Sequence, residues 1–94
     1  MSNPNRHVKH GGRSWEGLRR LKWAETHSCY LCGLEVESWA DYHLDEIHPD
    51  ALGGLPTRDN TAVAHKTCNM AKGPKTVEQY AAQLGHDVPG NEDW

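Results

Sequence analysis

The sequence predicts a small α+β domain, and three observations carry that expectation. The chain has 94 residues, 36% of them apolar and none of them Phe, so its core is small and needs a staple. Two ligand pairs, Cys29-x-x-Cys32 and His65-x-x-Cys68, stand at the spacing of a zinc knuckle on either side of a middle segment. Apolar runs and turn formers then alternate as strand, loop, strand, helix.

Each element has a local reason. Residues 1–12 are polar, with Pro4 and Gly11-Gly12, so 1–13 reads as a flexible basic arm. Ser14 is an N-cap, and Trp15, Leu18 and Leu21 recur at three-residue spacing, which predicts an amphipathic helix to about residue 26. Gly17 weakens it by roughly 1 kcal/mol relative to Ala. Cys29-Tyr30-Leu31-Cys32-Gly33 forms a tight turn in which Gly accepts a left-handed conformation. A strand is expected over 42–47, stopped by Pro49. Gly53-Gly54, Pro56 and Asp59-Asn60 form a loop, and a second strand over 61–64 leads into a helix over 66–72. Gly73-Pro74 ends that helix, and Thr76 with Gln79 makes a capping box for a last helix through residue 84. Trp15 and Trp23 are expected to pack the first helix on the knuckle, and Trp39 to cover the strand edge. The organisation is therefore an arm over 1–13, a domain over 14–84 and a loose tail over 85–94, without internal repeats.

Charge is divided unevenly. The net charge is -3, but the first 23 residues carry +5 and the remainder -8. A basic amino-terminal segment, including Arg19 and Arg20, suits phosphate contact or is simply solvated, whereas a carboxylate-rich body suits divalent cations. Three cysteines cannot all pair within one chain, and a metal explains them better than a disulfide framework, which points to a reducing, cytoplasmic compartment. No apolar run reaches membrane-spanning length, and the chain reads as soluble and unprocessed.

Cys29, Cys32, His65 and Cys68 make a Cys3His set, the stoichiometry of a closed structural zinc site, and thiolates favour zinc over magnesium or calcium. The bland alternative is that these are ordinary buried thiols beside a surface histidine. In a domain this small, metal-binding energy is folding energy.

The order Cys29-x-x-Cys32-Gly33, Asp45-Glu46-Ile47-His48-Pro49, Gly53-Gly54, Asp59-Asn60, His65-x-x-Cys68-Asn69-x-x-Lys72-Gly73 resembles the HNH endonucleases, particularly small phage-encoded ones, over residues 14–74. The resemblance implies a ββα-metal (His-Me finger) hairpin and helix wrapped around the zinc knuckles. It implies that Asp45 and Asn69 hold a catalytic divalent cation, Mg2+ or Mn2+, through hard oxygen donors. It further implies that Asn60 braces the loop bearing the general base, although a turn residue after Asp59 would look the same. Lys72 would contact a phosphate or complement the helix dipole.

The departure from the family pattern lies beside Asp45, where the family places its general-base His and this chain has Glu46. His, at about 6.5, suits proton abstraction near neutral pH better than Glu, at about 4.3. Crowding by Asp45 and Asp50 would raise Glu46, whereas a bound cation would lower it. Alternatively Glu46 is an additional metal ligand and His48 or His43 activates water, so the candidate bases are ordered Glu46, His48, His43. On a strand, His48 would share a face with Glu46, and His43 with Asp45.

Together these readings imply a metal-dependent DNA endonuclease of low sequence specificity, monomeric or weakly dimeric. Family analogy adds phage DNA packaging with a terminase or portal partner. The competing reading is a zinc-stapled module that binds nucleic acid or protein with attenuated catalysis.

Overall fold

The computed structural model describes residues 14–90. The basic arm over 1–13 and residues 91–94 of the expected tail lie outside the described residues. Helix α1 spans Trp15–Glu25, and Ser14 caps it, its Oγ accepting from the Gly17 N–H at 3.0 Å. Leu18 turns its side chain into the core. Trp23, expected against the knuckle, stacks on His27 at 3.7 Å and lies 4.8 Å from the Tyr42 ring, with Trp39 edge-on at 5.9 Å. It seats α1 on the start of the first strand instead. Trp39 in turn lies 5.3 Å from Tyr42.

The chain then folds through the Cys29–Cys32 turn. Cys29 N–H donates to the Leu34 carbonyl and Gly33 N–H to the Cys29 carbonyl, both at 2.9 Å, and Gly33 takes φ 81°. That left-handed geometry closes the knuckle and favours a residue without Cβ. Tyr30 N–H donates to the Val63 carbonyl at 2.9 Å, which ties the knuckle to the second strand.

Strands β1 (Tyr42–Glu46) and β2 (Thr61–His65) form a two-stranded antiparallel sheet with Tyr42 opposite His65 and Glu46 opposite Thr61. The first strand ends one residue earlier than the apolar pattern predicts. Ile47 N–H still reaches the Asn60 carbonyl at 2.9 Å, but the chain turns away there towards Pro49. Helix α2 (Lys66–Lys72) starts directly after β2, and α3 (Val77–Leu84) carries the Thr76/Gln79 capping box in both directions. The core joins Leu18, Val36, Tyr42, Leu44, Val63, Val77, Tyr80 and Val88. Among the described residues no helix is long and apolar enough to cross a membrane.

Of residues 85–90, expected as loose tail, 85–87 are exposed and 88–90 pack on the knuckle. Val88 is buried, and Gly90 N–H donates to the Tyr30 carbonyl at 3.0 Å. A Cβ at Gly90 would stand 2.8 Å from Tyr30 Cβ, so the close approach depends on glycine. An apolar anchor and a backbone hydrogen bond six residues beyond the last helix leave no periodic signal to read.

Candidate functional site

Two clusters share this scaffold. The first brings Cys29 and Cys32 from the knuckle to His65, at the end of β2, and Cys68, in the first turn of α2. Their ligand atoms all lie within 4.8 Å of one another. His65 Nδ1 stands 3.3 Å from Cys32 Sγ and 3.8 Å from Cys68 Sγ. Its Nε2 lies 3.0 Å from the Glu35 carbonyl; because a carbonyl only accepts, that nitrogen carries a proton, and Nδ1 is the ring atom turned to the sulfurs, where it could ligate a cation. Burial pushes the Cys29 thiol up, but the backbone amides of His65, Cys32 and Leu31 more than offset this and hold it below its ordinary value. Burial, and then the charges of Cys29 and Cys32, push the Cys68 thiol up to about 12. A cation relieves that crowding of like charge, and the donor set fits zinc. The Cys3His group is thus assembled by the fold and could bind a zinc ion.

The second cluster lies where α2 packs on β1. His43 and Asp45, alternate residues of β1, face Asn69 and Lys72, which stand three apart on α2. Asn69 Nδ2 is 3.0 Å from His43 Nδ1, and Lys72 Nζ is 3.2 Å from Asp45 Oδ2. The same Asp45 oxygen accepts from the Tyr30 hydroxyl. Lys72 is 0% exposed and also donates to the Glu46 carbonyl at 3.3 Å. The phosphate contact expected of Lys72 is therefore replaced by an internal one, because α2 lies flat on β1 and directs the side chain inward. Burial pushes the Tyr30 hydroxyl up, with the Asp45 charge adding to it, so Tyr30 stays protonated as a donor. Burial lowers His43, and the positive charges of Lys66 and Arg19 lower it further.

The loop after β1 hangs on one side chain. Asn60 Oδ1 accepts from His48 N–H at 2.9 Å, while its Nδ2 donates to the carbonyls of His48 at 3.0 Å and Leu55 at 2.9 Å. Gly54 allows this fit, since a Cβ there would fall 1.6 Å from the His48 carbonyl oxygen. His48 Nε2 lies 2.9 Å from the Leu52 carbonyl, and Glu46 Oε1 accepts from Asp50 N–H at 3.0 Å. His48 lies beyond the end of β1, so the strand alternation that would pair it with Glu46 does not extend to it.

Arg19 and Arg20, expected at nucleic acid, have different surroundings. The Arg19 guanidinium lies 4.2 Å from the Trp39 ring centre and 4.9 Å from that of Tyr42, and it donates to the Tyr42 carbonyl at 3.2 Å. It is packed as a cation over aromatic faces. Arg20 is largely exposed and pairs with Glu16 at 3.2 Å.

The divalent cation expected at Asp45 and Asn69 can be tested against these contacts. Asp45 has one oxygen committed to Lys72 and Tyr30, which leaves Oδ1 as its donor. Asn69 has its amide nitrogen on His43, which leaves its own Oδ1. A carboxylate and an amide oxygen suit Mg2+ or Mn2+. Among the described residues, however, the Cys3His set is the group of three or more His, Cys, Asp or Glu ligands that the fold gathers. Sequence reasoning passed over Tyr30, because the residues between two knuckle cysteines carry no pattern of their own, and over the Glu35 carbonyl, because a backbone acceptor has no sequence signature.

Neither protein-family models nor curated proteins match this chain.

Proposed function

We propose that the protein is a metal-dependent DNA endonuclease of the HNH type that hydrolyses phosphodiester bonds with low sequence specificity. The observation that carries the reading is the placement of His43 and Asp45 on β1 against Asn69 and Lys72, respectively, on α2, beside a loop that Asn60 clamps by both backbone groups of His48. The strand–loop–strand–helix order fits a ββα-metal unit. In this reading Asp45 and Asn69 would hold Mg2+ or Mn2+ through their Oδ1 atoms, and the ion, when bound, would supply charge stabilisation for phosphodiester hydrolysis. Glu46, at the end of β1, takes the proton of the attacking water. Tyr30 and Lys72 hold the Asp45 carboxylate in place, and Asn60 fixes the loop that begins beyond Glu46.

One observation favours a second reading. Lys72 already gives Asp45 a buried counter-charge at 3.2 Å, which is compatible with a zinc-stapled binding module that needs no second ion. Incubation of zinc-loaded protein with supercoiled plasmid separates the two. Nicking that requires Mg2+ or Mn2+ and is lost in an Asp45→Ala/Asn69→Ala variant is the expected result. Retention of plasmid without cleavage by the wild type would select the binding module.

A further inference from the structure

We propose that His43 is a positioning residue for Asn69: its imidazole Nδ1 accepts from the amide Nδ2 and thereby turns the amide oxygen towards a divalent cation. This rests on the nuclease reading above and names a residue of that same site.

A carboxamide has a donor end and an acceptor end of nearly equal shape, and an unconstrained amide presents either one to a cation. Only the oxygen end ligates a hard ion. At Asn69 the nitrogen end lies 3.0 Å from His43 Nδ1, and the planar amide then holds its oxygen on the side away from the imidazole. His43 comes from β1 and Asn69 from α2, so the contact also fixes the helix side chain against the strand that carries Asp45. The pairing gives His43 the duty of an outer-sphere partner, which orients a ligand without touching the ion.

This assignment differs from a general base in what it moves. A base changes the chemical step and leaves cation affinity alone, whereas an orienting partner changes cation affinity first. The opposite amide orientation, with Oδ1 accepting from a protonated Nδ1, would commit the oxygen to His43 and predicts tighter cation binding when His43 is removed.

The test measures Mn2+ binding to zinc-loaded protein by the electron paramagnetic resonance signal of free Mn2+, in wild type, His43→Leu, His43→Asn and Asn69→Ala. Zinc content and circular dichroism establish that each variant is folded. Asn places an oxygen acceptor near the position of Nδ1, so His43→Asn keeps the contact and guards against a folding defect in His43→Leu. The expected result is Mn2+ affinity about 10- to 100-fold weaker in His43→Leu, with most of it restored in His43→Asn and a loss in Asn69→Ala. Wild-type affinity in His43→Leu, or tighter binding, overturns the role of His43 while leaving the nuclease reading intact. Equal loss in His43→Leu and His43→Asn overturns the acceptor role. Absence of Mn2+ binding by the wild type overturns the cation reading and this inference together.

Discussion

The Tyr30 hydroxyl donates to Asp45 Oδ2. Tyr30 lies between Cys29 and Cys32, so the turn that supplies two of the zinc-type ligands also holds a carboxylate at the far end of the sheet. Its backbone is bound on both sides as well, to Val63 through its N–H and to Gly90 through its carbonyl. The two clusters are thus mechanically joined through one residue.

The buried pair around Asp45 sets the first expectation. Lys72→Met leaves a buried carboxylate without its counter-charge and should destabilise the zinc-loaded protein by about 3–5 kcal/mol. Tyr30→Phe removes a hydrogen bond to a charged acceptor and should cost about 1.5–3 kcal/mol. Urea denaturation measures both. If Lys72→Met and an Asp45→Leu/Lys72→Met double variant are equally destabilised, the loss does not come from the stranded charge.

Zinc removal should unfold the domain. Chelation, or Cys32→Ser, is expected to abolish the cooperative thermal transition followed by circular dichroism, with recovery on adding stoichiometric zinc to the wild type. The sign of the pH dependence follows from the ligands. Without metal the Cys68 thiol is pushed up to about 12 by burial and neighbouring sulfurs, so zinc must displace its proton. Zinc affinity should therefore fall as pH falls, which a competitive zinc indicator titrated from pH 8 to about 6 would register. A pH-independent affinity would count against thiolate ligation.

Asn60→Ala deletes three hydrogen bonds to the backbone of His48 and Leu55. Amide hydrogen exchange should accelerate selectively over residues 48–55, while protection in β2 and α3 is retained. Asn60→Asp keeps the acceptor for His48 N–H but sets an oxygen against two carbonyls, and it should loosen the loop as much. Uniform loss of protection across the domain would instead make Asn60 a global stability residue.

Glu46 is distinguished by two substitutions. As the proton acceptor, Glu46→Gln should abolish plasmid nicking while leaving Mn2+ and DNA affinity nearly unchanged, and Glu46→His should preserve or raise the rate near neutral pH. Retained nicking by Glu46→Gln would remove Glu46 from the chemistry. Loss of nicking in Glu46→His, with weaker Mn2+ binding, would make it a ligand and turn attention to His48.

Local signals determined much of this protein. Capping residues Ser14, Thr76 and Gln79, the turn at Gly33, the two strands and the start of α2 all follow from short-range rules, because caps, alternation and left-handed turns are decided within a few residues. The Cys3His set was legible for the same reason, since paired spacing encodes ligand geometry on each side of the site. Tertiary packing decided the rest. Whether Lys72 meets solvent or Asp45 depends on how α2 lies on β1, and Arg19 is drawn over Trp39 and Tyr42 by a contact between distant segments. The docking of Val88 and Gly90 on the knuckle, and the bonds from Tyr30 to Asp45 and from Asn69 to His43, likewise join positions with no sequence periodicity in common. Side-chain pairs of that kind exist only once the chain has collapsed, because burial makes an unpartnered charge or amide costly and so selects the arrangement that satisfies it.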